Sequence, residues 1–312
     1  MNIDKTKIDK PILDLHVHIG PEFLRRRYTI KSLAEEAQRE FFGFAAKNHF
    51  QPTTAWAAMI STNYKIPIIG SITLNKSVGG INPEAVRAAL SGFKINPQKS
   101  NRERGRFIVW MPTIHAEAHL IYNNRKDIIP EWGCAAKYQS TYPKGSGLTV
   151  LDKENTNLLN KETLKVLELI AKEDLILATG HLSSKEVELL VKEALNIGVK
   201  RIIITHPLFK ATNMSIEKQV ELSKLKGVFL EICYVNLKMD NIPINSYIQL
   251  IKIAGSKNII LSTDLGQVSS ETVGEGWRNY FKLLKKEGVS EDKLIRMAIE
   301  NPHKIVMKSL VY

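Results

Sequence analysis

Short apolar runs alternate with amphipathic stretches along most of the chain. Runs at 12–15, 43–46, 66–72, 107–111, 175–178, 201–205, 228–232 and 258–262 have the length of buried strands. Between them, apolar residues recur at helical spacing over 31–40, 83–90, 161–172, 185–197, 216–225 and 244–254. Asn82-Pro83-Glu84 supplies a cap and a proline at the first helical position, and Ser183 or Ser184 with Glu186 opens another helix. Eight strands in alternation with helices predict a parallel sheet, and closing it into a (β/α)8 TIM barrel leaves no edge strand. The LHVHIGP stretch after the first strand carries no glycine-rich phosphate loop, which argues against an open doubly wound sheet. Residues 277–310 read as a C-terminal helical extension of two or three helices covering one side of the barrel.

Residues 114–160 follow neither period and are rich in Tyr, Trp, Gly, Pro and Asn. A long loop after the fourth strand of a barrel lies on the face that carries the chemistry, so a lid or substrate pocket wall is expected there. The organisation expected is one barrel domain over 1–312 with a lid-like insertion at 114–160.

Composition narrows the class. A chain of 312 residues, 44% hydrophobic and 24% charged, can bury a large core without disulfide or metal staples. Two cysteines, Cys134 and Cys233, stand far apart in no ligand spacing, which points to a reducing cytoplasm. The first 18 residues mix charged and apolar positions as no signal peptide does, and no apolar stretch has membrane-span length, so a cytoplasmic protein is expected. The net charge of +12 is spread over lysines on most helical patterns and reads as a solvated surface. Only the cluster Lys94, Lys99, Arg102, Arg104 and Arg106 keeps an anionic partner in view. The expected partner is a small-molecule substrate, with an anionic one compatible, rather than nucleic acid or membrane. A homo-oligomer is compatible with the sequence.

The chemistry gathers at strand ends. His16, His18, His181 and His206 lie at, or one step past, the carboxyl end of an apolar strand, and Asp264 does the same after the last one. Residues i and i+2 of a strand share a face, so His16 and His18 point together, and Asp14 shares that face as a candidate to orient one of them. Thr179-Gly180-His181 and Thr205-His206-Pro207 add one imidazole each, and Ser262-Thr263-Asp264 adds a carboxylate from the strand that meets the first on closure. Imidazole with carboxylate suits zinc, manganese, iron or nickel, and the absence of thiolate from the set excludes a structural zinc finger.

LDLHVH at 13–18, ATGHLS at 178–183, IITHP at 203–207 and LSTD at 261–264 together resemble the amidohydrolase superfamily, over nearly the whole chain. NPHKIV at 301–306 is similar to the helix that ends many members, and GGINPEAV and WMPT place the chain near an uncharacterised amidohydrolase-like group. The resemblance implies that His16, His18 and Asp264 bind the more buried metal. His181 and His206 would bind or adjoin a second, giving one or two divalent ions per chain, zinc first. The superfamily often bridges two metals with a carboxylated lysine or a glutamate after the fourth strand, where this chain reads MPTIHAE. Lys47 after the second strand could supply that bridge, bind a substrate anion, or point to water as a rim residue. His49 shares its face, and His115 and Glu117 are candidate pocket residues. Glu231 is either a buried carboxylate near the metal or a lysine partner; His119 and His303 read as surface residues.

The reaction expected is hydrolysis of a C–N, ester or lactone bond by a metal-activated water. Asp264 would move the water's proton and His206 would stabilise the oxyanion. Phosphoester hydrolysis of the TatD or PHP type shares the HxH start. Against it, this chain has no glutamate in a GEIGLD-like strand, and its ligands fall on the first, fifth, sixth and eighth strands. A metal-dependent decarboxylase is a second alternative, and a non-catalytic binding barrel a third.

Overall fold

The computed structural model of the chain describes residues 10–94, 106–124 and 145–307. Nine parallel strands run in chain order: β1 (Ile12–His18), β2 (Phe42–Lys47), β3 (Ile68–Ile69), β4 (Ser71–Thr73), β5 (Ile108–Trp110), β6 (Ile176–Ala178), β7 (Ile202–Ile204), β8 (Val228–Cys233) and β9 (Ile259–Ser262). Helices α1 (Ile30–Glu40), α2 (Thr54–Ile60), α3 (Pro83–Lys94), α4 (Glu117–Tyr122), α5 (Lys161–Lys172), α6 (Ser184–Ile197), α7 (Ile216–Ser223), α8 (Tyr234–Met239) and α9 (Ile244–Ala254) lie between them. After β9 come α10 (Val273–Lys286), α11 (Glu291–Ile295) and α12 (Asn301–Val306). The sequence anticipates several of the caps: Asn82 Oδ1 accepts from Ala85 N at 2.8 Å, and Ser183 and Glu186 form a capping box.

The strands order as β1-β2-β3 and β4 through β9, and two seams join these ladders into the (β/α)8 barrel. At one seam the expected third strand, 66–72, is split at Gly70 into β3 and β4. A Cβ on Gly70 would lie 2.4 Å from the Thr54 Cα, so α2 approaches the strand as only glycine permits. Side chains replace the missing ladder: the hydroxyls of Ser71 and Thr53 each donate to Ala46 O at 2.7 Å, and Thr73 Oγ1 donates to Asn48 O at 2.9 Å. At the other seam, Asp264 N donates to His16 O at 2.8 Å and His18 N to Leu265 O at 2.7 Å.

Apolar residues form two layers. An outer core packs helices onto strands, and an inner cluster that includes Leu13, Leu15, Trp110, Ile203 and Ile260 fills the barrel. Ile305 and Val306 of α12 belong to the inner cluster, so the last helix plugs the barrel and does not simply cover a side as expected. His303, expected at the surface, is buried in that plug and donates from Nε2 to Pro11 O at 2.9 Å. Among the described residues no helix is long and apolar enough to cross a membrane.

Of the irregular stretch 114–160, residues 125–144, Cys134 among them, lie outside the described residues. The described ends are tied together: Leu148 N donates to His115 O at 2.8 Å and Gly147 N to Glu117 Oε2 at 2.9 Å. Glu117, expected in the pocket, therefore fastens the base of this loop.

Of the basic cluster, Lys99, Arg102, Arg104 and the Lys94 side chain lie outside the described residues. Arg106 is buried and serves the fold. Its guanidinium pairs with Asp174, which Arg201 also contacts, and its Nη1 donates to Met307 O at 2.6 Å. Burial would raise the Asp174 pKa, but the two arginines outweigh it and hold the carboxyl below its ordinary value.

Arg106→Met is expected to lower stability by about 1.5–3 kcal/mol in urea unfolding, the range for hydrogen bonds to charged groups. A depressed carboxylate pKa contributes stability that is present above its unfolded value of about 4 and is lost as pH falls through the folded one. The gap between wild type and variant should therefore be widest at neutral pH and shrink below about pH 4.

Candidate active site

The site begins with an irregularity in β1. Asp14 pairs with Phe44 but Val17 pairs with Ala46, so β1 carries one extra residue between them, a β-bulge. Leu13 and Leu15 face the barrel interior, and within the bulge His16 also turns inward and reaches the inner Trp110, with ring centroids 4.5 Å apart. His16 and His18 therefore share the inner face as expected, but Asp14 does not stand beneath them. Its carboxyl accepts from His16 N at 3.1 Å and from Thr263 Oγ1 at 2.6 Å, binding β1 to the β9 side of the seam. Burial outweighs these bonds and pushes its pKa up to about 7.

Glu231 takes the orienting role expected of Asp14. From the middle of β8 its Oε2 lies 3.1 Å from His16 Nδ1, and its Oε1 accepts from Ser262 Oγ at 2.9 Å. A carboxylate only accepts, so the His16 Nδ1 carries a proton, and its Nε2 faces Asp264, whose Oδ1 is 3.1 Å away. The same Oδ1 is 2.9 Å from His18 Nε2. Burial pulls the His16 pKa down, but Asp264 and Glu231 outweigh it and hold it above the ordinary value. Burial likewise acts on Asp264, where the two histidines prevail and keep the carboxyl well below its usual range.

Lys47, at the end of β2, is 1% exposed, which removes the rim reading. Its Nζ lies 2.8 Å from His16 Nε2 and 4.0 Å above the Trp110 ring. Burial lowers its pKa to about 8, against the pull of Asp264 and Glu231. His49 is also buried, with its ring centroid 4.6 Å from that of His18 and its Nδ1 3.0 Å from Thr113 Oγ1. Glu22 sits nearby with its carboxylate engaged by the Arg26 side chain and by His49 N.

His181 and His206 follow β6 and β7 and pack against each other with ring centroids 4.9 Å apart and planes tilted by 52°, with Phe209 against both. His206 Nδ1 is buried with no hydrogen-bond partner among the described residues, and burial lowers the ring's pKa to about 4. His119, expected at the surface, is 7% exposed, and its Nδ1 lies 2.8 Å from that of His181. These rings, with His18, His49 and Asp264, line a cavity of about 520 Å³ whose walls include Leu24, Arg25, Tyr122, Phe209 and Met239. His115 is buried near the loop base and is not among the lining residues of that cavity.

Three groups of donors among the described residues lie within 4.8 Å of one another: His16, His18 and Asp264; His16, Glu231 and Cys233; and His18, Glu22 and His49. The carboxylates of the last two groups are already spent on Ser262 and His16, or on Arg26 and His49 N. In the first, two imidazole nitrogens and a carboxylate oxygen converge at about 3 Å, the donor types that hold a divalent ion. The donor set fits a divalent ion.

Cys233, two residues beyond Glu231 on the same strand, has its Sγ 3.8 Å from His16 Nδ1. Its place is given by the strand's period of two, applied to Glu231. His119 had no such signal, because α4 lies inside the stretch whose pattern is irregular.

Residues 11–231 match the profile of DUF6282, a family of unknown function. No curated protein matches the chain significantly. Among solved structures, an amidohydrolase from Pseudomonas aeruginosa aligns with a TM-score of 0.58 at 14% identity, over 95% of each chain. One from Mycoplasma synoviae aligns at 0.57 and 15% identity, over 96% of this chain and 88% of that one. A putative 2-pyrone-4,6-dicarboxylic acid hydrolase from Pseudomonas putida aligns at 0.54 and 11% identity, over 96% of this chain and 98% of that one. At such identities the likeness concerns the fold, an α/β barrel shared with amidohydrolases.

If His16 holds a divalent ion, Glu231→Gln should weaken the binding of an added one about 10–100-fold, the usual loss when the partner of a ligating histidine is replaced. Competition with a chromophoric chelator reads this directly, and His16→Ala should lose more.

Proposed function

The chain belongs to the DUF6282 family, and from the barrel and site just described we propose that it is a metal-dependent hydrolase of a small molecule, acting on a C–N, ester or lactone bond. The observation that carries the reading is the meeting of His16 Nε2, His18 Nε2 and Asp264 Oδ1, at 3.1 and 2.9 Å, at the edge of a cavity of about 520 Å³. His16, His18 and Asp264 would hold a divalent ion, zinc before manganese, iron or nickel. Such an ion would lower the pKa of a bound water to near neutrality and would polarise the scissile carbonyl.

The chain's own residues divide the remaining work. Asp264, whose Oδ1 meets both imidazoles, takes the proton of the attacking water and returns it to the leaving group. His206, neutral at working pH because of burial, faces the same cavity and donates to the developing oxyanion. Glu231 keeps the His16 ring in register. Lys47 retains two of its three readings: a carboxylated bridge between two ions, or a buried positive charge beside the substrate.

The cavity also describes the substrate. Leu24, Ile114, Tyr122, Phe209, Val235 and Met239 give it apolar walls, and Arg25 lines it with no ion pair or hydrogen bond among the described residues. An apolar body carrying a carboxylate or phosphate matches this lining. Of the basic cluster that favours phosphoester hydrolysis, Arg106 is engaged within the fold.

Elemental analysis of chelator-free protein is the first test. About one ion per chain supports the single centre with Lys47 as a charge, about two supports the bridge, and none after reconstitution removes the hydrolase. Asp264→Asn should keep its circular dichroism spectrum while turnover on an amide, ester and lactone panel falls at least about 10²-fold. Arg25→Ala should raise KM for anionic substrates about tenfold or more, leaving uncharged analogues unaffected.

A further inference from the structure

We propose that His181 is not a metal ligand but presents its Nε2–H to the substrate oxygen, and that Asn123 and His119 are the positioning residues that hold the proton on that nitrogen. The inference deepens the hydrolase reading and rests on it for the role of the N–H, but not for its existence.

The argument is a chain of donors and acceptors. Asn123 closes α4, four residues after His119, and its Nδ2 lies 3.3 Å from His119 O and 2.8 Å from His119 Nε2. A carbonyl oxygen only accepts, so the amide must turn its NH2 group that way and not its oxygen. His119 Nε2, facing the same NH2, must then accept as well. A neutral imidazole carries one proton, so that of His119 sits on Nδ1. His119 Nδ1 faces His181 Nδ1 at 2.8 Å, and one of the two must donate. With the proton on His119, the His181 Nδ1 accepts and the His181 proton is left on Nε2.

Such a ring has no lone pair to give a metal. Its Nδ1 lone pair is taken by His119, and its Nε2 carries hydrogen. The placement of the donors agrees: among the described residues, none of the groups of three at ligand spacing contains His181. What His181 does have is a wall of the cavity, beside His206. Two neutral imidazoles side by side, each able to donate, are suited to an oxygen that gains negative charge as the bond breaks. The centre this implies holds one ion on His16, His18 and Asp264.

The test is spectroscopic first. Full-length protein labelled with 15N at histidine is examined by long-range proton–nitrogen correlation, before and after one equivalent of zinc. The expected result is His181 protonated on Nε2 throughout, His119 protonated on Nδ1, and zinc-dependent shifts on the nitrogens of His16 and His18. A bare His181 Nε2 in the metal-free protein, or its movement to a zinc-bound shift, would overturn the proposal. Asn123→Leu should populate both His181 tautomers; an unchanged His181 spectrum would remove Asn123 from the positioning role.

Variants supply the second arm. His181→Leu should keep the wild-type zinc content while kcat falls about 10²–10³-fold, the loss typical of one oxyanion donor. His181→Gln, which restores an N–H, should recover part of it. Zinc lost in His181→Leu would count against the proposal. If no substrate in the panel is turned over by wild type, the hydrolase reading fails, while the spectra and zinc content still decide the tautomer.

Discussion

The seam between β1 and β9 is the constraint on which the site depends. Asp14 supplies its pin: a fully buried carboxyl that accepts from Thr263 N, Thr263 Oγ1 and His16 N. The bulge in β1 makes this possible, since it lets Asp14 serve the seam while His16 and His18 turn inward. Asp264 N and His18 N then zip the two strands, and one carboxylate oxygen arrives within 3.1 Å of both imidazoles. The backbone pays for this reach with a left-handed Asp264, φ 54°, and with a Gly266 whose Cβ would sit 2.1 Å from His18 O.

Charge at the floor of the cavity is balanced by proximity. Glu231 and Asp264 bracket His16, and Lys47 closes the arrangement from β2, all in a place with almost no water. Buried charges of this kind persist only when each has a partner in hand. Lys47, whose Nζ lies 2.8 Å from His16 Nε2, feels the charge of the same carboxylates that raise the pKa of His16. The imidazoles lining the cavity, His18, His49, His119, His181 and His206, are all driven toward the neutral form by burial. Neutral rings are the form that either ligates a cation or donates a single defined hydrogen bond.

Much of this is legible in the sequence because barrels put chemistry where strands end. The HxH pair, the two later histidines and Asp264 all announce themselves by following an apolar run, and the structure brings them to one end of one barrel. What escapes the pattern has physical reasons. A bulge inserts one residue and leaves no mark in a period-two reading, so Asp14 was given the role that belongs to Glu231. Arg106 reads as one member of a basic cluster because its partner, Asp174, is 68 residues away. His119 and His303 look exposed because neither sits in a strand, yet α4 and α12 each fold back on the barrel and bury them.

The order of synthesis acquires a meaning from the seam. His16 and Asp264 are 248 positions apart, and the plug formed by Ile305 and Val306 follows later still. While the chain is being made, β1 and β2 can pair, but the first strand has no neighbour on its open side until β9 leaves the ribosome. The carboxylate that completes the pair's donor set is therefore the last to arrive. The meeting of the two imidazoles with the Asp264 carboxylate is in this sense coupled to the closing of the ring.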